Sequence, residues 1–142
     1  MAHSGKRPSV HAIPPDTELA RLIQQSQLDF ELDFFAAILQ NAPNYIEVLR
    51  SQAKNLALKG LHAESLQIDE RWVSLRPADP LAYYNLACSY AVLKQSDQAI
   101  RTLRKAVEHG YRDFRHIRED RDFDSIRKDP RFRALLREFE NR

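Results

Sequence analysis

The sequence predicts an all-α fold, a solenoid of antiparallel helix pairs that ends in a C-terminal capping helix. Its composition favours helices, because the 142 residues include only three glycines and 30% are charged. An internal repeat gives the second observation: Pro43 and Pro77 are 34 residues apart, and with this offset apolar or small residues fall on residues of the same kind, as Ala53 does on Ala87. A repeat of this length holds one helix pair, whose apolar faces must be covered by neighbouring pairs.

Composition and charge exclude several classes of protein. A single cysteine, Cys88, excludes an internal disulfide and a cysteine-rich zinc cluster. A mean hydropathy of −0.57 and the lack of a long apolar run argue against a membrane span. The first 15 residues contain three prolines and no apolar stretch after Lys6 and Arg7, which predicts a flexible tail and no secretory signal. We therefore expect a cytoplasmic protein with one folded domain, residues 16–142.

The segment 16–43 is predicted to be a partial repeat. Residues 16–25 form its short first helix, capped by Asp16 or Thr17, and a second helix follows. That second helix has two apolar stripes at helical spacing. One consists of Leu28, Leu32, Phe35 and Leu39, and the other of Phe30, Phe34 and Ile38. Full repeats are predicted at 44–77 and 78–111.

The second full repeat carries a recognisable motif. Tyr83, Leu86, Ala87 and Tyr90 have the spacing W-x2-L-G-x2-Y, and Ala99 and Leu103 have the spacing A-x3-F. The chain thus resembles tetratricopeptide repeat (TPR) proteins, which implies a concave groove lined by the first helix of each pair. The first full repeat matches less well, because Gln52, Ser65 and Asp69 replace the expected leucine, alanine and aromatic residue.

Residues 112–142 are predicted to be a truncated repeat followed by a cap. Asp129 is the expected N-cap of a final helix, with Pro130 at its first position. The segment 120–136, with Asp-Pro-Arg-Phe followed by paired leucines, resembles the ending of many bacterial TPR proteins. A stripe of large apolar residues should cover the open end of the array. It consists of Phe132, Leu135, Leu136 and Phe139.

The sequence contains no complete catalytic or metal-binding motif. The five histidines lack the H-E-x-x-H spacing of a zinc protease. Asp120-x-Asp122-x-Asp124 resembles the start of a calcium loop, but Ser125 replaces its glycine and Arg131 its bidentate glutamate. Cys88 has no second cysteine to resolve an oxidised form. We therefore predict no enzyme activity, metal or cofactor.

The groove is the predicted functional site, and it should bind a protein or peptide partner as a scaffold or adaptor does. The register assigns seven residues to it: Arg50, Lys54, Tyr84, Asn85, Cys88, Arg115 and Arg118. Asn85, Arg50 and Lys54 resemble part of the carboxylate clamp of chaperone-binding TPR domains, although Lys54 replaces an asparagine of that clamp. Since Glu47 at the rim is the only acid in this assignment, the expected partner is acidic or offers a free C-terminal carboxylate.

An alternative function rests on the C-terminal charge. Residues 101–142 hold 13 basic and 9 acidic side chains, a local charge of 13 − 9 = +4, against 9 − 11 = −2 for residues 1–100. The chain could thus be an accessory subunit of an enzyme or nucleic-acid complex that makes contact through this basic face. Nucleic acid is less favoured, because the arginines alternate with acids and lack an aromatic platform. No membrane partner is predicted.

Overall fold

A computed structural model describes residues 14–142, which form seven α-helices and one 3-10 helix and contain no strand. Consecutive helices pack against each other as an α-solenoid of helix pairs, so the predicted all-α TPR-type fold is confirmed. The predicted flexible tail falls almost entirely outside the described residues. The helices are α1 (Glu18–Asn41), α2 (Ile46–Leu58), α3 (His62–Leu75), α4 (Pro80–Val92), α5 (Ser96–Glu108), α6 (Phe114–Glu119), the 3-10 helix (Arg121–Phe123) and α7 (Pro130–Glu140).

Helix α1 differs from the prediction, which divided it into two helices near residue 25. It is one continuous helix of 24 residues. Thr17 is its N-cap, and the Thr17 hydroxyl accepts a hydrogen bond from the Ala20 backbone N–H at 3.2 Å. Because the sequence has neither glycine nor proline between Glu18 and Asn41, nothing in it ends the helix.

The turn inside each helix pair repeats with the same period of 34 residues. Gly60 after α2 and Lys94 after α4 both have positive φ, at 82° and 60°. A backbone hydrogen bond of 2.9 Å spans each turn, from Leu61 N–H to Leu56 O and from Gln95 N–H to Tyr90 O. This is the bond of a left-handed helix C-cap, and it returns the chain as an antiparallel helix.

Helix α4 is the centre of the core. It packs against α3, α5 and the 3-10 helix, and eight of its thirteen residues are buried. Ala87 and Ala91 of α4 and Ala99 and Ala106 of α5 have no exposed surface. Small side chains at these positions let the two helices approach closely, as the repeat motif predicts.

The C-terminal helix closes the array as predicted. Asp129 is the N-cap of α7 and accepts a hydrogen bond from the Arg131 backbone N–H at 2.9 Å, with Pro130 at the first helical position. The four apolar side chains of α7 join the main core and are buried. They are Phe132, Leu135, Leu136 and Phe139.

Replacing Ala87 by leucine should destabilise the domain by about 1–3 kcal/mol, because a larger side chain forces α4 away from its neighbours. Urea unfolding followed by circular dichroism measures the change. Ala63→Leu is the matched control, since Ala63 is only partly buried near the start of α3 and should tolerate leucine. Equal urea midpoints for Ala87→Leu and wild type would contradict the close helix approach.

The cap contributes stability through buried apolar surface. Leu135→Ala should lower the free energy of unfolding by about 2–5 kcal/mol, because Leu135 is fully buried and its removal leaves a cavity. The exposed neighbour Arg133, changed to alanine, should leave the unfolding midpoint almost unchanged. Similar losses for the two variants would show that α7 does not act as a cap.

Candidate functional site

The candidate site is a cleft between α2, α3, α4 and the segment that follows α6. Five of the seven predicted groove residues line it: Arg50 and Lys54 on α2, and Tyr84, Asn85 and Cys88 on α4. Because α2 and α4 are the first helices of successive pairs, their side chains meet on one surface of the solenoid. Whether these residues bind a partner stays a prediction.

The α2 side of the cleft is basic. Arg50 and Lys54 are both exposed and lie one helical turn apart, and neither forms an ion pair within residues 14–142. The Arg50 guanidinium lies 5.3 Å from the centre of the Trp72 ring, a cation–π contact that orients it. These two cations therefore remain available to an anionic ligand.

The floor of the cleft is a hydrogen-bonded cluster. Tyr84 stacks on Tyr111 with ring centres 4.3 Å apart, and the Tyr84 hydroxyl donates to Asp120 Oδ2. Cys88 Sγ lies 3.8 Å from the same oxygen. Burial, together with the negative charge of Asp120, raises the pKa of both Tyr84 and Cys88 above the usual range. Both side chains are therefore protonated at neutral pH, and Cys88 lacks the thiolate that a nucleophile needs.

The opposite side of the cleft is acidic, which corrects the sequence analysis. Asp69, Asp120 and Asp122 line the cleft, whereas Glu47 was the only acid expected there. Asp120 ends α6 and caps the 3-10 helix, and the close packing of that helix on α4 brings both Asp120 and Asp122 to the cleft. The lining is therefore basic on one side and acidic on the other.

Asp69 is a buried carboxyl group that the sequence analysis did not assign to the site. Its side chain is only 2% exposed, and its Oδ2 accepts a hydrogen bond from the Ser89 hydroxyl at 2.5 Å. Its Oδ1 has no hydrogen-bond partner in the described part of the chain. Burial raises the pKa of Asp69 to about 7, although the bond from Ser89 acts in the opposite direction. The signal in the sequence was a carboxylate at a repeat position that usually holds an aromatic residue.

Arg115 and Arg118 do not line the cleft, contrary to the prediction. The Arg115 Nε–H donates to Glu119 Oε1 at 3.1 Å, and Arg118 forms an ion pair with Glu140 of α7. Helix α6 has only six residues before Asp120 ends it, so it is shorter than a first helix of a full repeat. The truncated third repeat therefore contributes carboxylates to the cleft instead of arginines.

Three potential metal ligands lie close together at the acidic side. The ligand atoms of Cys88, Asp120 and Asp122 are within 4.8 Å of one another. Contacts within the protein already explain this arrangement, because Asp120 Oδ1 accepts from the Asp122 backbone N–H at 3.0 Å and Asp120 Oδ2 accepts from Tyr84. A structural zinc site needs four ligands, more than this cluster supplies. The chemistry of the cleft is that of hydrogen bonding and charge recognition.

Asp69 should make stability depend on pH in a defined direction. Its pKa is higher in the folded chain than the usual 3.8, so the folded state holds a proton that the unfolded state releases between about pH 4 and 7. The free energy of unfolding should therefore fall as the pH rises through this window, by up to about 4 kcal/mol for a shift of this size.

The variant Asp69→Asn keeps an acceptor for Ser89 and stays uncharged, so it should flatten this dependence and exceed wild-type stability at about pH 8. Urea unfolding at about pH 5 and pH 8 measures both effects. Glu64→Gln, an exposed change on the same helix, should preserve the wild-type dependence. A parallel pH dependence in Asp69→Asn and wild type would contradict the raised pKa.

Comparisons with known proteins agree with the fold. The chain is similar to the solved structure of the MamA RS-1 ArsTM double mutant, with a TM-score of 0.61 and 20% identity, over 84% of this chain and 70% of that one. It is also 34% identical over 84 residues to a chloroplastic protein of Arabidopsis thaliana. That match covers 57% of this chain and 25% of the length of the relative. No protein-family profile matches the chain.

The structural likeness supports a helical repeat of the TPR type, and at 20% identity it concerns the fold alone. Among residues 14–142, no helix combines the length and the apolar content that crossing a bilayer requires. The chain is therefore described by these comparisons as an α-solenoid of TPR-type helix pairs.

Proposed function

We propose that this chain is a non-catalytic interaction module that binds a segment of a partner protein in the cleft. The observation that carries the proposal is the pair of exposed, unpaired cations on α2, Arg50 and Lys54, which lie beside the half-exposed amide of Asn85 on α4 and form no ion pair within residues 14–142. Such groups bind carboxylates through charge-assisted hydrogen bonds. The buried floor of Tyr84 and Cys88 gives the cleft a fixed shape below them.

The ligand is a peptide segment with an acidic group, either a side chain or a terminal carboxylate, placed against Arg50 and Lys54. The acidic side of the cleft adds a second requirement, because an entirely acidic segment would be repelled by Asp120 and Asp122. A segment with its negative charge towards α2 and a basic or donor group towards Asp122 fits both sides. This arrangement fixes the direction in which the partner segment lies.

The alternative contact through the basic C-terminal face has less support. Six of the eleven arginines between residues 101 and 142 pair with carboxylates, so much of that charge is neutralised within the protein. The paired residues are Arg104, Arg115, Arg118, Arg127, Arg131 and Arg142. Binding through that face would have to compete with these existing ion pairs.

Selection from a displayed library of random peptides tests the function directly. Wild type should enrich peptides that carry an acidic residue or free carboxylate together with a basic residue at a fixed distance. The double change Arg50→Glu and Lys54→Glu should weaken a selected peptide at least about tenfold, because it replaces attraction by repulsion. Fluorescence anisotropy measures the affinity, and circular dichroism should show unchanged helicity.

The matched control is Arg101→Glu with Lys105→Glu. These residues have the same types and spacing on α5, are exposed, and do not line the cleft. This variant should bind the selected peptide as wild type does. If the α5 variant loses binding and the α2 variant keeps it, the cleft is not the binding site and the basic face is.

A further inference from the structure

Helix α1 has apolar residues on two opposite sides. One side, with Leu28 and Leu32 at its centre, packs against α2. The opposite side carries large apolar residues that are exposed by 46–68%. We call this set the outer stripe, and it consists of Leu19, Ile23, Phe30 and Phe34.

The outer stripe is continuous along the helix. Since each residue advances an α-helix by about 100°, the four stripe positions fall within one narrow sector, about 180° from Leu28 and Leu32. Phe30 and Phe34 stack with ring centres 6.1 Å apart. Leu22 extends the apolar surface at one edge and is 57% exposed. Within residues 14–142, α2 is the helix that packs on α1, and none covers the stripe.

An exposed apolar side is unusual for the outer helix of a solenoid, whose outward face is normally polar. At their exposed fractions, the stripe and Leu22 offer on the order of 500 Å² of apolar surface, so two copies would bury about 1,000 Å², the lower limit for a specific interface. A contiguous patch of this size on a monomer marks an interaction surface.

The spacing of the stripe points to its occupant. The intervals between Leu19, Ile23, Phe30 and Phe34 are four, seven and four residues, so the pattern reads the same in both directions. In an antiparallel pair of α1 helices with a two-fold axis between residues 26 and 27, Leu19 lies opposite Phe34 of the second copy. Ile23 then lies opposite Phe30, so each contact joins an aliphatic residue to an aromatic one. This self-complementarity is what a two-fold interface requires.

The centre of this pairing is free of charge. Residues 24–27 are Gln-Gln-Ser-Gln, so the axis brings no like charges together. The nearest acid on the helix, Asp29, already forms an ion pair with Lys59 of the same chain. We propose that the outer stripe is the interface of an antiparallel, two-fold dimer of this chain. None of its residues lines the cleft, so the dimer leaves both clefts open.

Sedimentation velocity of the full chain over a range of micromolar concentrations tests the dimer. Wild type should sediment as a dimer, and the double change Ile23→Glu and Phe30→Glu should weaken dimerisation at least about tenfold. Gln24→Glu is a control that adds a charge on another side of the same helix, and it should dimerise as wild type does. A wild-type chain that stays monomeric throughout would overturn the proposal.

Cross-linking tests the direction of the helices independently of stability. A short thiol-reactive cross-linker should join two copies of Ser26→Cys, because position 26 lies beside the two-fold axis. It should not join two copies of Asn41→Cys, which are separated by about 40 Å in the antiparallel pair and would be neighbours in a parallel one. The buried Cys88 is common to both variants and serves as the background. Cross-linking at position 41 but not at position 26 would overturn the antiparallel arrangement.

Discussion

The structure depends on the close packing of α4, which has other helices on most of its sides. Alanines at positions 82, 87 and 91 of α4 have no exposed surface, and Ala99 and Ala106 of α5 are equally buried. Each helix pair of a solenoid can bury its apolar face only against its neighbours, so the distance between helices decides whether the core is filled. Because α4 contacts α3, α5 and the 3-10 helix, it also sets the position of the elements that form the floor and the acidic side of the cleft.

The polar groups of the cleft serve this packing as well as recognition. Asp69 joins α3 to Ser89 of α4, and Asp120 joins the end of α6 to Tyr84 of α4. Buried polar groups are costly unless they are paired, so each bond also fixes the register between consecutive repeats. The acidic side of the cleft thus arises from residues that hold the array together. The cations of α2 form no ion pair within residues 14–142, and the contact of Arg50 with Trp72 leaves its N–H groups available to a ligand.

The sequence was sufficient to predict the parts of the fold that depend on local signals. The 34-residue period gave the helix pairs, and it reappears in the positive φ of Gly60 and Lys94. Asp129 and Pro130 gave the start of α7. The division of α1 was wrong because it followed the length of a repeat in a segment that has no helix-breaking residue. Arg118 was misplaced and Asp120 was missed as a lining residue, because their positions follow from a truncated repeat that bends onto α4 and α7, a tertiary effect.

The two ends of the described array differ in how they treat apolar surface. At the C-terminal end, α7 buries its apolar side chains against the core and presents arginines and glutamates outward. Helix α1 buries only one of its two apolar sides against α2, and the other remains exposed. A net charge of +2 spread over 22 basic and 20 acidic residues gives no strong long-range attraction for either sign. Recognition by this chain therefore depends on local surfaces, the cleft with its opposed charges and the apolar side of α1, and each can be changed by substitution without altering the other.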